Sequence, residues 1–195
     1  MKKDIILAGV GGQGILSIAA TIGTAAIAAD LHLKQAEVHG MSQRGGDVQS
    51  HLRLSDKEIA SDLIGEGKAD IIISVEPMEA LRYLPMLSKT GWVVTNTNPF
   101  INIPDYPEKD ALMDEIAKQP KHIALDADKI AKDLGNSKAA NIVVLGAATP
   151  YLDMDFSLFE NALKQIFGRK GEEVVQMNIE ALKAGRDFAE SFIAK

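Results

Sequence analysis

Residues 4 to 28 constrain this chain more than any other stretch. Asp4-Ile5-Ile6-Leu7-Ala8 is short, apolar and strand-like, and it runs directly into Gly9-Val10-Gly11-Gly12-Gln13-Gly14 and then an alanine-rich apolar segment. The order is strand, glycine turn, helix. Gly9, Gly11 and Gly14 fit the G-x-G-x-x-G pattern, in which one glycine permits the tight turn, the next lets backbone approach a ligand, and the third allows helix to pack closely on strand. Amides at the start of that helix would aim free N–H groups and the positive end of the helix dipole above the sheet, which favours an anion such as phosphate. A second reading stays open, in which the glycines serve packing alone, because this fingerprint does not choose among functions.

The remaining pattern alternates strands with helices. Ile15, Ile18, Ala19, Ile22 and Ala26 recur every three or four residues, which predicts a helix laid on a sheet. A second strand is predicted at about Gln35 to His39. Beyond it Val48, Ser50, Leu52 and Leu54 alternate with Asp47, Gln49, His51 and Arg53, the period of a half-buried strand antiparallel to its neighbour. Ala69 to Val75 is nearly continuous apolar, as expected of a central parallel strand, and Gly91 to Thr95 and His122 to Leu125 read as further strands. Glu76-Pro77 opens a helix, Pro99, Pro104 and Pro107 keep the next stretch irregular, and a helix is expected near Glu108 to Lys118. Asp126 or Asp128 is placed to cap a short helix that Gly135 ends. The last third reads as helical: Ala139 to Thr149, then a stripe of Phe159, Ala162, Leu163, Ile166 and Phe167, then a long helix with Val174, Ala181, Leu182, Phe188 and Phe192 on one face. The expected fold is α/β, a Rossmann-like, mostly parallel sheet with at least one antiparallel strand and a helical C-terminal part, in a single domain over residues 1–195.

Composition excludes several chemistries. The chain has no cysteine, so it offers no disulfide, no thiolate nucleophile and no thiolate ligand for an iron-sulfur cluster. Its net charge is −6 and no lysine/arginine stripe is present, which argues against nucleic acid. No apolar run approaches the ~20 residues that span a bilayer, and Met1-Lys2-Lys3 leads into a strand rather than a signal-peptide core, so a cytoplasmic location is expected. Gly14 is followed by Ile15-Leu16 and not by the lysine of a phosphate loop, and no serine sits in a G-x-S-x-G elbow. His39 and His51 are the only pair with any promise as metal ligands, and each reads better as an ordinary strand residue. Gly46-Asp47 resembles the start of a magnesium and thiamine diphosphate motif, yet Val48 stands where its final glycine belongs. An NAD site would need an acid for the ribose; Asp30 has nearly the right offset but lies before the strand, and Glu37 comes somewhat late, so that signature is incomplete.

One further stretch stands out. Gly40-Met41-Ser42-Gln43-Arg44-Gly45-Gly46 is a polar, glycine-bounded loop whose Arg44 offers a planar fork suited to carboxylate, phosphate or diphosphate. A solvated surface arginine is the alternative reading. Taken together, Gly9 to Ile15 and Glu37 to Gly46 followed by a strand closely resemble the gamma-type subunit or domain of 2-oxoacid:ferredoxin oxidoreductases, and within them the indolepyruvate (arylpyruvate) branch. The resemblance is clearest over residues 4 to 54 and looser through Glu76-Pro77 and Asn141 to Gly146.

That resemblance implies a subunit assisting CoA-dependent oxidative decarboxylation of a 2-oxoacid, with electrons passed to ferredoxin. It implies that thiamine diphosphate, Mg2+ and the four-iron, four-sulfur clusters belong to a larger partner subunit, that CoA binds in the complex, and that this chain holds no cofactor alone and has no catalytic residue. It suggests Gly11, Gly12, Gln13, Gly14, Ser42, Gln43, Arg44 and Gly45 as the residues near CoA or the active-site channel. The alternatives are the gamma subunit of a pyruvate or 2-oxoglutarate enzyme, a stand-alone nicotinamide or flavin oxidoreductase, and a nucleotide-binding module without catalysis.

Overall fold

The computed structural model describes residues 1–39 and 46–193. Six strands, β1 (Lys2–Val10), β2 (His32–His39), β3 (Asp47–Ser55), β4 (Ala69–Ser74), β5 (Leu87–Asn96) and β6 (His122–Leu125), form a sheet in the order β2-β3-β1-β4-β5-β6. β1, β4, β5 and β6 run parallel, and β3 runs antiparallel to both β1 and β2. This is the expected mostly parallel α/β sheet with its antiparallel strand. The chain leaves β1 for one side of the sheet (β2, β3) and returns to build the other side (β4, β5, β6), so strand order reverses between β1 and β4.

Alternation along the central strands separates two cores. Ile5, Leu7, Ile71 and Ile73 point to one face, where α1 (Ile15–Ala28), α4 (Ala127–Asp133), α5 (Ala140–Ala148), α6 (Phe156–Phe167) and α7 (Glu172–Ile193) pack. Ile6 and Ile72 point to the other, toward Ile64, Tyr83 and Leu84. The helices α2 (Pro77–Arg82) and α3 (Lys109–Ala117) lie on that second side. Each fully buried isoleucine contributes about 1.5–3 kcal/mol of transfer free energy, so the two faces of β1 and β4 anchor the fold.

The crossing of α5 and α7 is unusually close. A Cβ at Gly185 would fall 1.9 Å from the Val143 carbonyl oxygen, and one at Gly146 would fall 2.0 Å from that of Leu182. Only glycine fits at this crossing, and it decides which face of α7 is buried. Val175, Ile179, Ala181, Leu182 and Ala189 go inside, whereas Val174 and Phe188 are half-buried and Phe192 is exposed. The stripe expected from the large apolar residues is therefore rotated toward the small ones.

Two boundaries also differ from expectation. β2 begins at His32 and β5 at Leu87, each earlier than the apolar pattern suggests. β3 is covered on both faces rather than one, because residues 56–68 fold over its outer side. Arg53 donates to the carbonyls of Ser61 at 2.9 Å and Leu63 at 3.1 Å, Ile59 and Ile64 are buried, and His51 is buried beneath them.

Candidate functional site

The glycine turn stands at the C-terminal end of β1, where strand order reverses, the position at which open α/β sheets bind ligands. Gly12 and Gly14 have φ of 101° and 80°, and Gly14 is the N-terminal cap of α1 without any side-chain cap. A Cβ at Gly9 would lie 2.4 Å from Val75 Cγ2, so that glycine lets β1 and the end of β4 close together. The Gln13 side chain folds back, its Oε1 accepting the Val10 N–H at 2.8 Å. No acidic residue occupies the first turn of α1, which leaves the positive end of its dipole uncompensated.

A long-range contact locks this turn. Asn141, on the first turn of α5, donates through Nδ2 to the Gly14 carbonyl at 3.0 Å. A Cβ on Gly14 would meet the same Nδ2 at 2.5 Å, so the clamp and the glycine require each other. Beside it a cleft of about 370 Å³ is lined by Gly12, Gln13, Val75, Asn96, Lys138 and Asn141, with Asp128 on its far wall. A groove of about 550 Å³ continues across the turn, adding Ser17, Phe167, Lys170 and Met177.

The far wall is a network of amides and carboxylates. Asn96 Nδ2 donates to Asp128 Oδ2 at 2.7 Å while Asn96 Oδ1 accepts the Ala127 N–H at 3.1 Å. Asn98 Nδ2 donates to Asp126 Oδ1 at 2.6 Å and to Asp128 Oδ2 at 3.1 Å. Asp126 also caps α4 by accepting the Lys129 N–H, as its position before that helix suggests. One wall is thus cationic, from the α1 terminus and Lys138, and the other anionic, from Asp128. Such a cleft can grip an anionic group on one side and hydroxyls or amides on the other. Its described lining offers amides, one lysine and one carboxylate, groups that bind and orient a ligand.

Of the residues singled out from sequence, Gly12 and Gln13 line the cleft and Gly14 lines the adjoining groove. The Gly11 N–H donates to the Gly46 carbonyl at 2.9 Å, which joins the glycine turn to the last residue of the second motif. Ser42, Gln43, Arg44 and Gly45 lie outside the described residues. The strands flanking them, β2 ending at His39 and β3 starting at Asp47, both reach the turn's end of the sheet, since Val10 pairs with Asp47 and His39 with Val48.

Other candidates are placed elsewhere. His51 Nδ1 accepts the Ile64 N–H at 2.9 Å, and burial lowers its pKa, so it is a neutral structural residue. Asp47 accepts the Tyr83 hydroxyl at 3.0 Å. Glu37 takes a hydrogen bond from Gln35 on its own strand, and Asp30 sits in the turn after α1, at the opposite end of the sheet. Neither acid reaches the cleft. Asn96, Asp128, Lys138 and Asn141 escape sequence reasoning. Asn96 ends β5 and Asp128 follows β6, and the rule that ligands sit at the carboxyl ends of parallel strands would have pointed to them. Asn141 carries no local signal, being 127 residues from its partner.

Residues 4–188 match the protein family described as pyruvate ferredoxin/flavodoxin oxidoreductase. The indolepyruvate oxidoreductase subunit IorB of Archaeoglobus fulgidus is 39% identical over 97% of this chain and 96% of its own length. Among solved structures, the gamma subunit of a keto/oxoacid ferredoxin oxidoreductase from Geobacter sulfurreducens shares the fold at a TM-score of 0.70 and 24% identity, covering 97% of this chain and 99% of that one. The 2-oxoglutarate:ferredoxin oxidoreductase of Magnetococcus marinus, solved with 2-oxoglutarate, coenzyme A and succinyl-CoA, shares it at a TM-score of 0.79 and 23% identity. There the match covers 97% of this chain but only 31% of the longer one. With a full-length relative at this identity and a family match over nearly every residue, the chain belongs to the pyruvate ferredoxin/flavodoxin oxidoreductase family, as a subunit of its 2-oxoacid oxidoreductases.

Proposed function

We propose that the chain is the subunit without thiamine in an indolepyruvate (arylpyruvate):ferredoxin oxidoreductase, assisting CoA-dependent oxidative decarboxylation of 2-oxoacids whose electrons pass to ferredoxin. The end-to-end match to IorB carries this reading. The whole chain acts as one gamma-type unit, in the cytoplasm, beside a larger subunit that holds thiamine diphosphate, Mg2+ and the iron-sulfur clusters. Its own residues do not suit those groups. It has no cysteine for a cluster, Asp47 is engaged by Tyr83, and Val48 replaces the glycine of the thiamine motif.

The glycine turn does suit CoA. Gly11 and Gln13, whose N–H groups go to the Gly46 and Val10 carbonyls, would shape the turn, while the amides of Gly12 and Gly14, the start of α1 and Lys138 would hold its phosphates, with Ser42, Gln43, Arg44 and Gly45 completing the grip. CoA, when bound, supplies the thiol that takes up the acyl group. This chain orients it and screens the channel from water.

Reconstitution tests the reading. The purified chain alone should not oxidise indolepyruvate, and adding the larger subunit should restore CoA-dependent ferredoxin reduction. Asn141→Ala, which frees the Gly14 carbonyl, should raise the CoA KM at a stability cost of only about 1 kcal/mol. Turnover by the isolated chain, or full activity of the larger subunit without it, would refute the proposal. Faster turnover of pyruvate or 2-oxoglutarate than of indolepyruvate would favour those branches instead.

A further inference from the structure

Two cavities meet at the glycine turn, and their walls differ in charge. The cleft carries Asp128 beside Lys138. The groove of about 550 Å³ shares Gly12, Gln13, Lys138 and Asn141 with it and runs on past the end of α6 and the start of α7. Its described lining holds two lysines, Lys138 and Lys170, and no carboxylate. Glu172 and Glu173 open α7 after Lys170 but do not belong to that lining. A group with several negative charges is therefore favoured in the groove over the cleft, where Asp128 would repel it.

The groove also has an apolar side and a buried acceptor. Ile142, Phe167, Val174 and Met177 line it, and Lys170 Nζ stands 5.2 Å from the centre of the Phe167 ring. Asn178 lines the same groove and is 6% exposed. Its Nδ2 donates to the Val174 carbonyl at 2.7 Å, one turn back on α7. Only the amide nitrogen can donate to a carbonyl, so this bond fixes the side chain's orientation and turns Oδ1 away from the helix backbone. No donor among the described residues meets that oxygen. A buried acceptor beside an open groove is matched by a donor from a ligand.

These features select one chemistry. A flat heterocycle fits the apolar side, and an exocyclic amine on it satisfies Asn178 Oδ1. Adenine has such an amine, whereas a purine with a carbonyl at that position would set oxygen against oxygen. The volume suits a nucleoside with its phosphates. We infer that the groove is an adenine-nucleotide subsite, in which Asn178 reads the exocyclic amine and Lys170 pairs with a phosphate on the ribose. This rests on the CoA reading above and gives that ligand a direction. Its adenosine lies in the groove, its diphosphate crosses the turn at Gly12 and Gly14, and its uncharged, amide-bearing arm runs into the cleft, where Asp128 repels nothing.

The test is calorimetric titration of the chain in complex with the larger subunit, using CoA, etheno-CoA, dephospho-CoA and ADP. Etheno-CoA has its amine closed into a ring with no hydrogen to donate, and dephospho-CoA lacks the ribose phosphate. Wild type should bind CoA about tenfold more tightly than either analogue. Asn178→Leu should erase the preference over etheno-CoA and keep the preference over dephospho-CoA, and Lys170→Met should do the reverse. A merely disturbed fold would weaken all ligands alike and leave both ratios unchanged. Equal affinity of wild type for CoA and etheno-CoA, or a preference that survives Asn178→Leu, would overturn the inference while leaving CoA binding intact. Equal affinity for CoA and dephospho-CoA would overturn the role of Lys170. ADP bound more tightly than CoA would assign the groove to a free nucleotide and overturn the direction given to CoA. A wild-type complex that binds no CoA would refute the CoA reading, and this inference with it.

Discussion

Replacing Gly185 by alanine pits two effects against each other. In the interior of a helix, alanine is favoured over glycine by about 1 kcal/mol. Against this, the new Cβ would stand 1.9 Å from the Val143 oxygen, 2.8 Å from its carbonyl carbon and 2.9 Å from the Ala147 nitrogen. All three are backbone atoms of α5, so no rotamer change relieves them. Restoring ordinary contact distances of ~3.5 Å means parting the two helices by about 1.5 Å, and a gap of half that already forfeits a quarter to a half of each dispersion contact. Overpacking typically costs about 1–3 kcal/mol, and a rigid backbone neighbour places this site at or beyond the upper end. The clash wins, with a net loss of about 2–4 kcal/mol and a Tm lowered by roughly 5–15 °C for a chain of this size. Differential scanning calorimetry of Gly185→Ala beside Gly168→Ala checks this, because Gly168 meets nothing within 4 Å and should be neutral or slightly stabilising. Since α5 carries Asn141 to the glycine turn, the CoA affinity proposed for that turn should fall along with stability. A Gly185→Ala protein as stable as wild type would refute the claim that this crossing depends on backbone approach.

Two further outcomes follow from polar groups away from the cleft. Burial pushes the Asp4 carboxyl up, but Arg53 at 2.8 Å and Lys2 at 2.7 Å outweigh it and hold that carboxyl below its ordinary value. A depressed folded-state pKa gives stability that is present above the unfolded value of ~3.9 and lost as pH falls through the folded one. Asp4→Asn should therefore be less stable than wild type at pH 7, with the difference shrinking below about pH 4 in urea titrations. A pH-independent difference would contradict this. Tyr151 stacks on Trp92 at 3.9 Å between ring centroids, and its buried hydroxyl has no partner among the described residues. Burial pushes its pKa up to about 12. Tyr151→Phe keeps the stack and removes the unsatisfied group, so stability should hold or rise by about 0.5–1 kcal/mol, and a clear fall in Tm would show that the hydroxyl is satisfied.

Local pattern alone determined much of this molecule. A run such as Ala69 to Val75, a glycine turn between strand and helix, and an aspartate one residue before a helix each encode their structure within a few neighbours, so the strands, the caps and the site of the turn were legible. The family motifs at residues 9–15 and 37–46 were legible for the same reason, being contiguous. Tertiary structure decided the rest, wherever the deciding contact joins distant residues. The buried face of α7 follows from Gly185 meeting Val143, and the closed outer face of β3 from Arg53 holding residues 61 and 63. The far wall of the cleft exists because β5 and β6 end side by side, bringing Asn96 against Asp128. The clamp of Asn141 on Gly14 spans 127 residues and leaves no trace in local periodicity, because a hydrogen bond between a side chain and a remote carbonyl imposes no pattern on the residues around either end.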